Sequence, residues 1–276
     1  MSLNGNTAVP FVLSANNLFK GLHMKKVKSL LIVFSALLLC PIWASAQNYM
    51  EVYRNNGNRI HLQVEDLDSI LFLNGVELMG NHEYVDLGLS VKWATCNVGA
   101  NVPYEYGEYY AWGETETKNN YDWSTYKYCM GRDSTMTKYC NYSYGGYNGF
   151  IDNKTNLEPN DDVAHVKWGG NWRMPTYLEQ EELHEQCTWR FTCLNGINGY
   201  IITSKKEGYE DRWIFLPMGG IYVGDKIENM GAMGFISSSS LTSRPWAAYI
   251  LFYGMSDIKS SRHFRYYGHN VRPVCP

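Results

Sequence analysis

Glu158-Pro159-Asn160, followed directly by Asp161 and Asp162, is the stretch of this 276-residue chain with the most suggestive ligand chemistry. Calcium takes about six to eight oxygen ligands, and Glu158, Asn160, Asp161 and Asp162 offer several side by side. The competing reading is structural: Pro159 ends a loop, and the acids cap a short helix whose positive end favours them. A second arrangement is His184 three residues before Cys187, where a base and a nucleophile would share a helix face. Against it stand a structural disulfide at Cys187 and a solvated His184 in the last helical turn. His82, His165, His263 and His269 do not fall at metal-ligand spacing. No H-E-x-x-H, G-x-S-x-G or phosphate-cradling Gly loop occurs, and Glu181-Glu182 read as a solvated pair. The sequence therefore points to no enzyme, to no cofactor, and to calcium only as the weaker alternative.

The C-terminal stretch carries a different chemistry. In Ala248–Gly254, strand alternation places Tyr249, Leu251 and Tyr253 on one face and Ile250, Phe252 and Gly254 on the other. Beyond it, Asp257, Lys259, Ser260, Ser261, Arg262, His263, Phe264, Arg265 and Tyr266 follow no period. Aromatics give contact area at little entropic cost, and Arg and Ser give adaptable hydrogen bonds. Arg244, Trp246, Ile250, Phe252, Gly254, Lys259, Arg262, His263, Phe264, Arg265 and Tyr266 are accordingly expected to form a ligand-binding face. Val271-Arg272-Pro273-Val274-Cys275 is the strand expected to hold it.

Several elements must position these groups. Residues 49–64 form two alternating runs around Asn55-Asn56-Gly57-Asn58, a hairpin signal, and 65–73 add a further short strand. This unit is too small to bury a core alone; residues 47–80 are read as a β-appendage with 74–81 as its connection, and 81–276 as the main domain. From His82 on, aromatics and glycines dominate and long helical periodicity is absent. Residues 115–156 read as mostly loop, which at that length is functional or pinned. One confident helix begins after Thr176, where Glu179 completes a capping box, and ends near Cys187. The rest is a series of short strands, giving an α+β class. Trp93, Trp112, Trp123, Trp168, Trp172, Trp189 and Trp213 are assigned mostly to packing.

The N-terminal region reads as an export signal. From Met24, Lys25, Lys26 and Lys28 precede an apolar run, Leu30 to Leu39, and Ala44-Ser45-Ala46 is a small-x-small cleavage pattern. Residues 24–46 are expected to be removed, and 1–23 to lie upstream of the true start. The apolar run is too short to span a bilayer, and Leu-Leu-Leu before Cys40 does not make a lipid-anchor site. Residues 47–276 keep 20 cations against 27 acids, because the four lysines before them have no acidic counterpart. A charge near −7 argues against a nucleic-acid partner. Six cysteines remain: Cys96, Cys129, Cys140, Cys187, Cys193 and Cys275. In an exported chain an even number suggests disulfides, with Cys129–Cys140 and Cys187–Cys193 as local choices and Cys96–Cys275 tying the domain's start to its end.

Taken in order, VDLGLSVKWATCNVGA, YGEYYAWGETETK, DWSTYKYC, LEPNDDVAHVKWGGNWRMPT, CTW, NGY and VRPVCP resemble the Fibrobacter succinogenes major paralogous domain, which occurs in exported proteins of Bacteroidetes. The resemblance spans about Glu83 to Pro276, and Asp68-Ser69-Ile70-Leu71-Phe72 resembles the β-segment that often precedes such domains. It implies a C-type lectin-like fold with adjacent terminal strands, in keeping with the Cys96–Cys275 pair. In sugar-binding members of that fold a Glu-Pro-Asn ligates calcium together with a later Trp-Asn-Asp, which is missing here. In retroelement-diversified members the variable positions lie in the last strands, before a tail much like VRPVCP. The resemblance thus implies an exported, non-enzymatic module, periplasmic, surface-bound or secreted, for a protein or glycan ligand. A calcium-dependent lectin or adhesin and a subunit of a cell-surface assembly are the alternatives.

Overall fold

The computed structural model describes residues 75–276 throughout and, before them, the backbone of Leu31–Ile32, Tyr49–Tyr53 and Arg59–Gln63. The chain divides into two units, Met1–Ile70 and Leu71–Pro276. In the first, β1 (Leu31–Ile32), β2 (Tyr49–Tyr53) and β3 (Arg59–Gln63) form one antiparallel sheet. The β2–β3 register, from Tyr49↔Gln63 to Tyr53↔Arg59, is the hairpin that the alternation predicts. Its turn and the strand expected within 65–73 lie outside the described residues.

The second unit is a mixed structure of small antiparallel sheets with few helices. Strands β4 (Val76–Met79), β5 (His82–Val85) and β6 (Lys92–Ala94) pair in sequence, and β15 (Val274–Cys275) adds beside β6. A meander of β7 (Cys187–Leu194), β8 (Ile197–Ser204) and β9 (Trp213–Pro217) follows the helices. Then come the short pair β10 (Ile221–Val223) and β11 (Lys226–Glu228), and the sheet of β12 (Met233–Leu241), β13 (Ala247–Gly254) and β14 (Ile258–Phe264). The helices are α1 (Val163–Trp168) and α2 (Tyr177–Gln186). Residues 76–79, read from sequence as part of a connection, are instead an edge strand. Val76 is opposite Val85 and packs against the main core, a contact that four residues with one glutamate do not announce.

Helix α2 starts as expected: the Thr176 hydroxyl accepts from the Glu179 N–H, and Glu179 accepts from the Thr176 N–H. Leu183 enters the main core, which gathers Val85, Leu87, Trp93, Ile202, Leu216, Leu251, Tyr253 and Val274. A second core belongs to the long segment 115–157. Tyr121, Tyr126, Tyr128, Met136 and Tyr139 pack there with Trp112, Leu241 and Ala248. The segment has only short 3-10 turns, at Trp123–Thr125, Ser143–Gly145 and Tyr147–Gly149, so large rings supply the burial that regular elements would otherwise give. Gly145 lets it dock: a Cβ there would sit 2.2 Å from the Pro245 ring.

The three expected disulfides do not form; all six cysteines are free thiols. Cys187 and Cys193 stand at opposite ends of β7, opposite Ser204 and Asn198. Six residues of strand separate them by roughly 20 Å, and a bridge tolerates only about 7 Å. The Cys129 thiol donates to the Trp123 carbonyl and Cys140 to that of Tyr142. Residues 115–157 are thus pinned by other means. Strands β15 and β6 do bring the two ends of the domain together, but Cys275 faces Lys92 while the Val98 N–H bonds the Val271 carbonyl. Lys92, and not Cys96, is thus the residue opposite Cys275.

Candidate functional site

The hairpin β13–β14 and the loop before it carry the expected ligand-binding face. Strand β13 is central, between β12 and β14. Its alternation is as predicted, yet both faces are covered: Leu251 and Tyr253 enter the main core, and Ile250 packs with Ile221 and Phe235. Ile250 and Gly254 are therefore buried and unavailable to a ligand. Arg265, read as displayed, is completely buried. Arg244, Lys259, Arg262 and Phe264 are exposed, and Trp246, Phe252, His263 and Tyr266 half-buried. Lys259 pairs with Asp257 and lies 5.7 Å from the Phe252 ring centre.

Arg265 is the pin of the long segment. Its Nε donates to the Tyr126 hydroxyl at 2.8 Å, and its two terminal nitrogens donate to the carbonyls of Pro245, Tyr139 and Lys138 at 2.7, 3.1 and 3.1 Å. The guanidinium lies 4.7 Å from the Trp112 ring centre. Such a planar fork with five donors satisfies several carbonyls at once. A sequence reading cannot separate a buried Arg265 from an exposed Arg262, since both sit among aromatics in one aperiodic run.

Above this pin the structure assembles rings that the C-terminal stretch alone does not reveal. Tyr142 and Tyr144 stack at 5.5 Å, and Tyr144 meets Trp246 edge-on at 5.9 Å. Tyr144 is 59% exposed and Tyr142 44%, high for such large rings in contact with one another. Beside them Arg244 is exposed. Trp123 contacts Phe264 at 5.9 Å and Tyr266 at 4.8 Å, and those two rings stack at 5.6 Å. The Arg265 N–H donates to the Trp246 carbonyl, which joins the two ring groups through the backbone. A signal for the missed residues was present: Asn141 to Phe150 reads NYSYGGYNGF, the Tyr, Ser, Gly and Asn mixture of adaptable binding loops.

The acidic alternative does not converge on a cation. Asp161 accepts from the Tyr139 hydroxyl at 2.6 Å, from the Tyr128 hydroxyl and from Lys138 at 2.5 Å. Burial would raise its carboxyl, but Lys138 and the two tyrosines hold it down to about 2. Asp162 caps α1 and accepts from the His165 and Met174 N–H groups, the structural role expected of it. Glu158 pairs with Lys138 and Lys154 at 2.5 Å each, and Asn160 is exposed. These carboxylates are occupied by the protein's own cations and donors. Among the described residues, no three His, Cys, Asp or Glu side chains are grouped as a metal site.

Burial pushes the Cys187 thiol up to about 12, away from a nucleophilic thiolate, and His184 lies edge-on to Trp189. His263 and His269 form a separate pair, Nδ1 to Nε2 at 3.0 Å, beside Phe235 and Tyr267. Burial pulls His263 from 6.5 to about 4, and pulls His269 well below its usual value, with His263 adding to the effect. The unfolded chain then binds more protons than the native one between those two pH values. The stability this supplies is complete above about pH 6.5 and is lost as pH falls toward 4, by about 3 kcal/mol for one such group. Urea unfolding across this window is expected to show the slope, and His263→Gln to reduce it, leaving the share of His269. The loss between about pH 3.8 and 2, as the Asp161 carboxylate is protonated, is expected to remain. An unchanged slope in the variant would assign the limb to other groups.

Among the described residues, no helix is long and apolar enough to cross a membrane. No family model, curated protein or solved structure matches the chain.

Proposed function

We propose that residues 75–276 are a non-enzymatic recognition module of an exported protein, with a C-type lectin-like arrangement. Its ligand, a protein or a glycan, is taken on the aromatic surface of Tyr142, Tyr144, Trp246, Phe264 and Tyr266, with Arg244 and Arg262 at its side. The pairing of β15 with β6 supports the arrangement, because it joins the two ends of the domain. The observation that carries the binding reading is the set of ring contacts above the fully bonded Arg265, in which the exposed Tyr142–Tyr144 stack meets half-buried Trp246 and exposed Phe264 rests on half-buried Tyr266. Rings held this way lose little freedom when a ligand arrives, so their contact area converts into affinity. Aromatic contact and cation–π attraction supply the binding free energy without a metal. If the face is diversified as in the retroelement families, codon differences across 236–275 are expected at Arg244, Trp246, Arg262 and Phe264 and not at the buried Arg265.

A glycan array, probed with and without EDTA, tests the reading. Tyr144→Ala and Trp246→Ala are each expected to weaken binding by about 2 kcal/mol, roughly thirty-fold, and to leave the melting temperature in place. EDTA-sensitive binding that both variants retain would move the site to Glu158–Asp162. Loss of folding in either variant would assign its ring to the core.

A further inference from the structure

Strand β7 is the outer strand of its sheet and runs in unbroken register with β8, from Cys187↔Ser204 to Leu194↔Ile197. An edge of eight residues presents a row of backbone donors and acceptors to any extended strand. The other long edges are guarded. The N–H groups of Ser237, Ser239 and Leu241 on β12 donate to the carbonyls of Asn270, Pro175 and Thr155. Strand β9 is closed by Arg272 on the Phe215 carbonyl and by the Tyr253 hydroxyl on that of Pro217. Strand β14 carries the exposed charges Lys259 and Arg262. Strand β7, CTWRFTCL, has no proline, no bulge and a single charge, Arg190. Among the described residues, its outward backbone groups have no partner beyond β8, and Phe191 on it is 42% exposed.

We infer that β7 is the interface between two copies of this chain, paired antiparallel so that two three-stranded sheets become one of six. An antiparallel edge is its own complement under a two-fold axis, which supplies every donor with an acceptor and removes both free edges at once. With the axis perpendicular to the sheet, residues directly opposite must share a face, so the axis passes through a residue near the middle of β7. An axis at Arg190 would set guanidinium against guanidinium, a repulsive pair. An axis at Phe191 pairs the two exposed rings and sets Arg190 opposite Thr192 of the second copy, and Trp189 opposite Cys193. Cross-strand aromatic pairs stabilise and like charges do not, so the Phe191 register is assigned. Two copies joined in this way also give each particle two ligand-binding surfaces, and a multivalent target would be held more tightly without any new contact.

Sedimentation of the full chain at micromolar concentration is expected to give twice the monomer mass. Phe191→Lys is expected to give the monomer mass while staying folded, with a melting temperature that no longer rises with protein concentration. Register is read separately in a Cys193→Ser background: Phe191→Cys is expected to form a covalent dimer on mild oxidation, and Arg190→Cys to stay monomeric on denaturing gels. A wild-type chain that stays monomeric, or a dimer that survives Phe191→Lys, would overturn the interface. Crosslinking through position 190 in place of 191 would overturn the register.

Discussion

Replacing Arg265 by Ala is expected to lower the stability of the domain by about 3–5 kcal/mol, because the change leaves buried polar groups without partners. The carbonyls of Lys138, Tyr139 and Pro245 and the Tyr126 hydroxyl all lose their donor, and the space beside Trp112 and Tyr139 empties. Lysine is not expected to rescue the variant, since a point charge cannot reproduce a planar fork. Three of the four bonded partners lie between 126 and 139, within the segment that carries Tyr142 and Tyr144. The damage should therefore concentrate there. Limited proteolysis is expected to cut between 115 and 157 before the rest of the domain opens, and urea unfolding gives the magnitude. A loss below about 1 kcal/mol, within the range of an ordinary surface substitution, would mean that the tyrosine core holds the segment unaided.

Arg272→Ala is expected to cost at least as much and to act differently. Arg272 is also completely buried, and its Nε donates to the Asn97 side chain at 2.8 Å. Its terminal nitrogens donate to the carbonyls of Ala94, Thr95 and Phe215 at 3.0, 2.6 and 2.9 Å. These partners belong to the end of β6 with the loop after it and to β9, so one side chain just before β15 ties two distant parts of the domain together. Its loss should not be local. A single cooperative transition shifted down by about 4 kcal/mol or more is expected, or no folded protein at all. Equal protection of all segments in hydrogen exchange would accompany the shift. A variant that lost protection only near 94–97 would show that β9 and β15 hold without it.

Much of the frame was legible from residue patterns. The capping box at Thr176 and Glu179 marks the start of α2, the period-two run at 49–64 marks its hairpin, and of the acids read as capping a short helix Asp162 does so. These signals are local, and local chemistry decides them. What sequence could not resolve was the sorting of one chemical type by depth. Arg262, Arg265 and Arg272 lie within eleven residues, yet the first is exposed and the other two are completely buried. That difference depends on carbonyls brought from residues as far as 178 positions away. The cysteines misled for a related reason. Spacing suggested short loops, but an extended strand puts Cys187 and Cys193 at its two ends. The composition of 141–150 marks Tyr142 and Tyr144 as binding-loop residues, but nothing adjacent in sequence discloses that Trp246 will meet Tyr144.

The pairing of β6 with β15 sets a clock as well as a shape. Val274 must find Trp93 across nearly the whole domain, so the sheet that begins the domain cannot be completed until its final strand has been made. Contacts of such separation carry a loop-closure entropy that is met before they return any stabilisation, and folds rich in them are slow. The sheet that begins the domain is therefore expected to close late in folding, after the strands between β6 and β15 have been made.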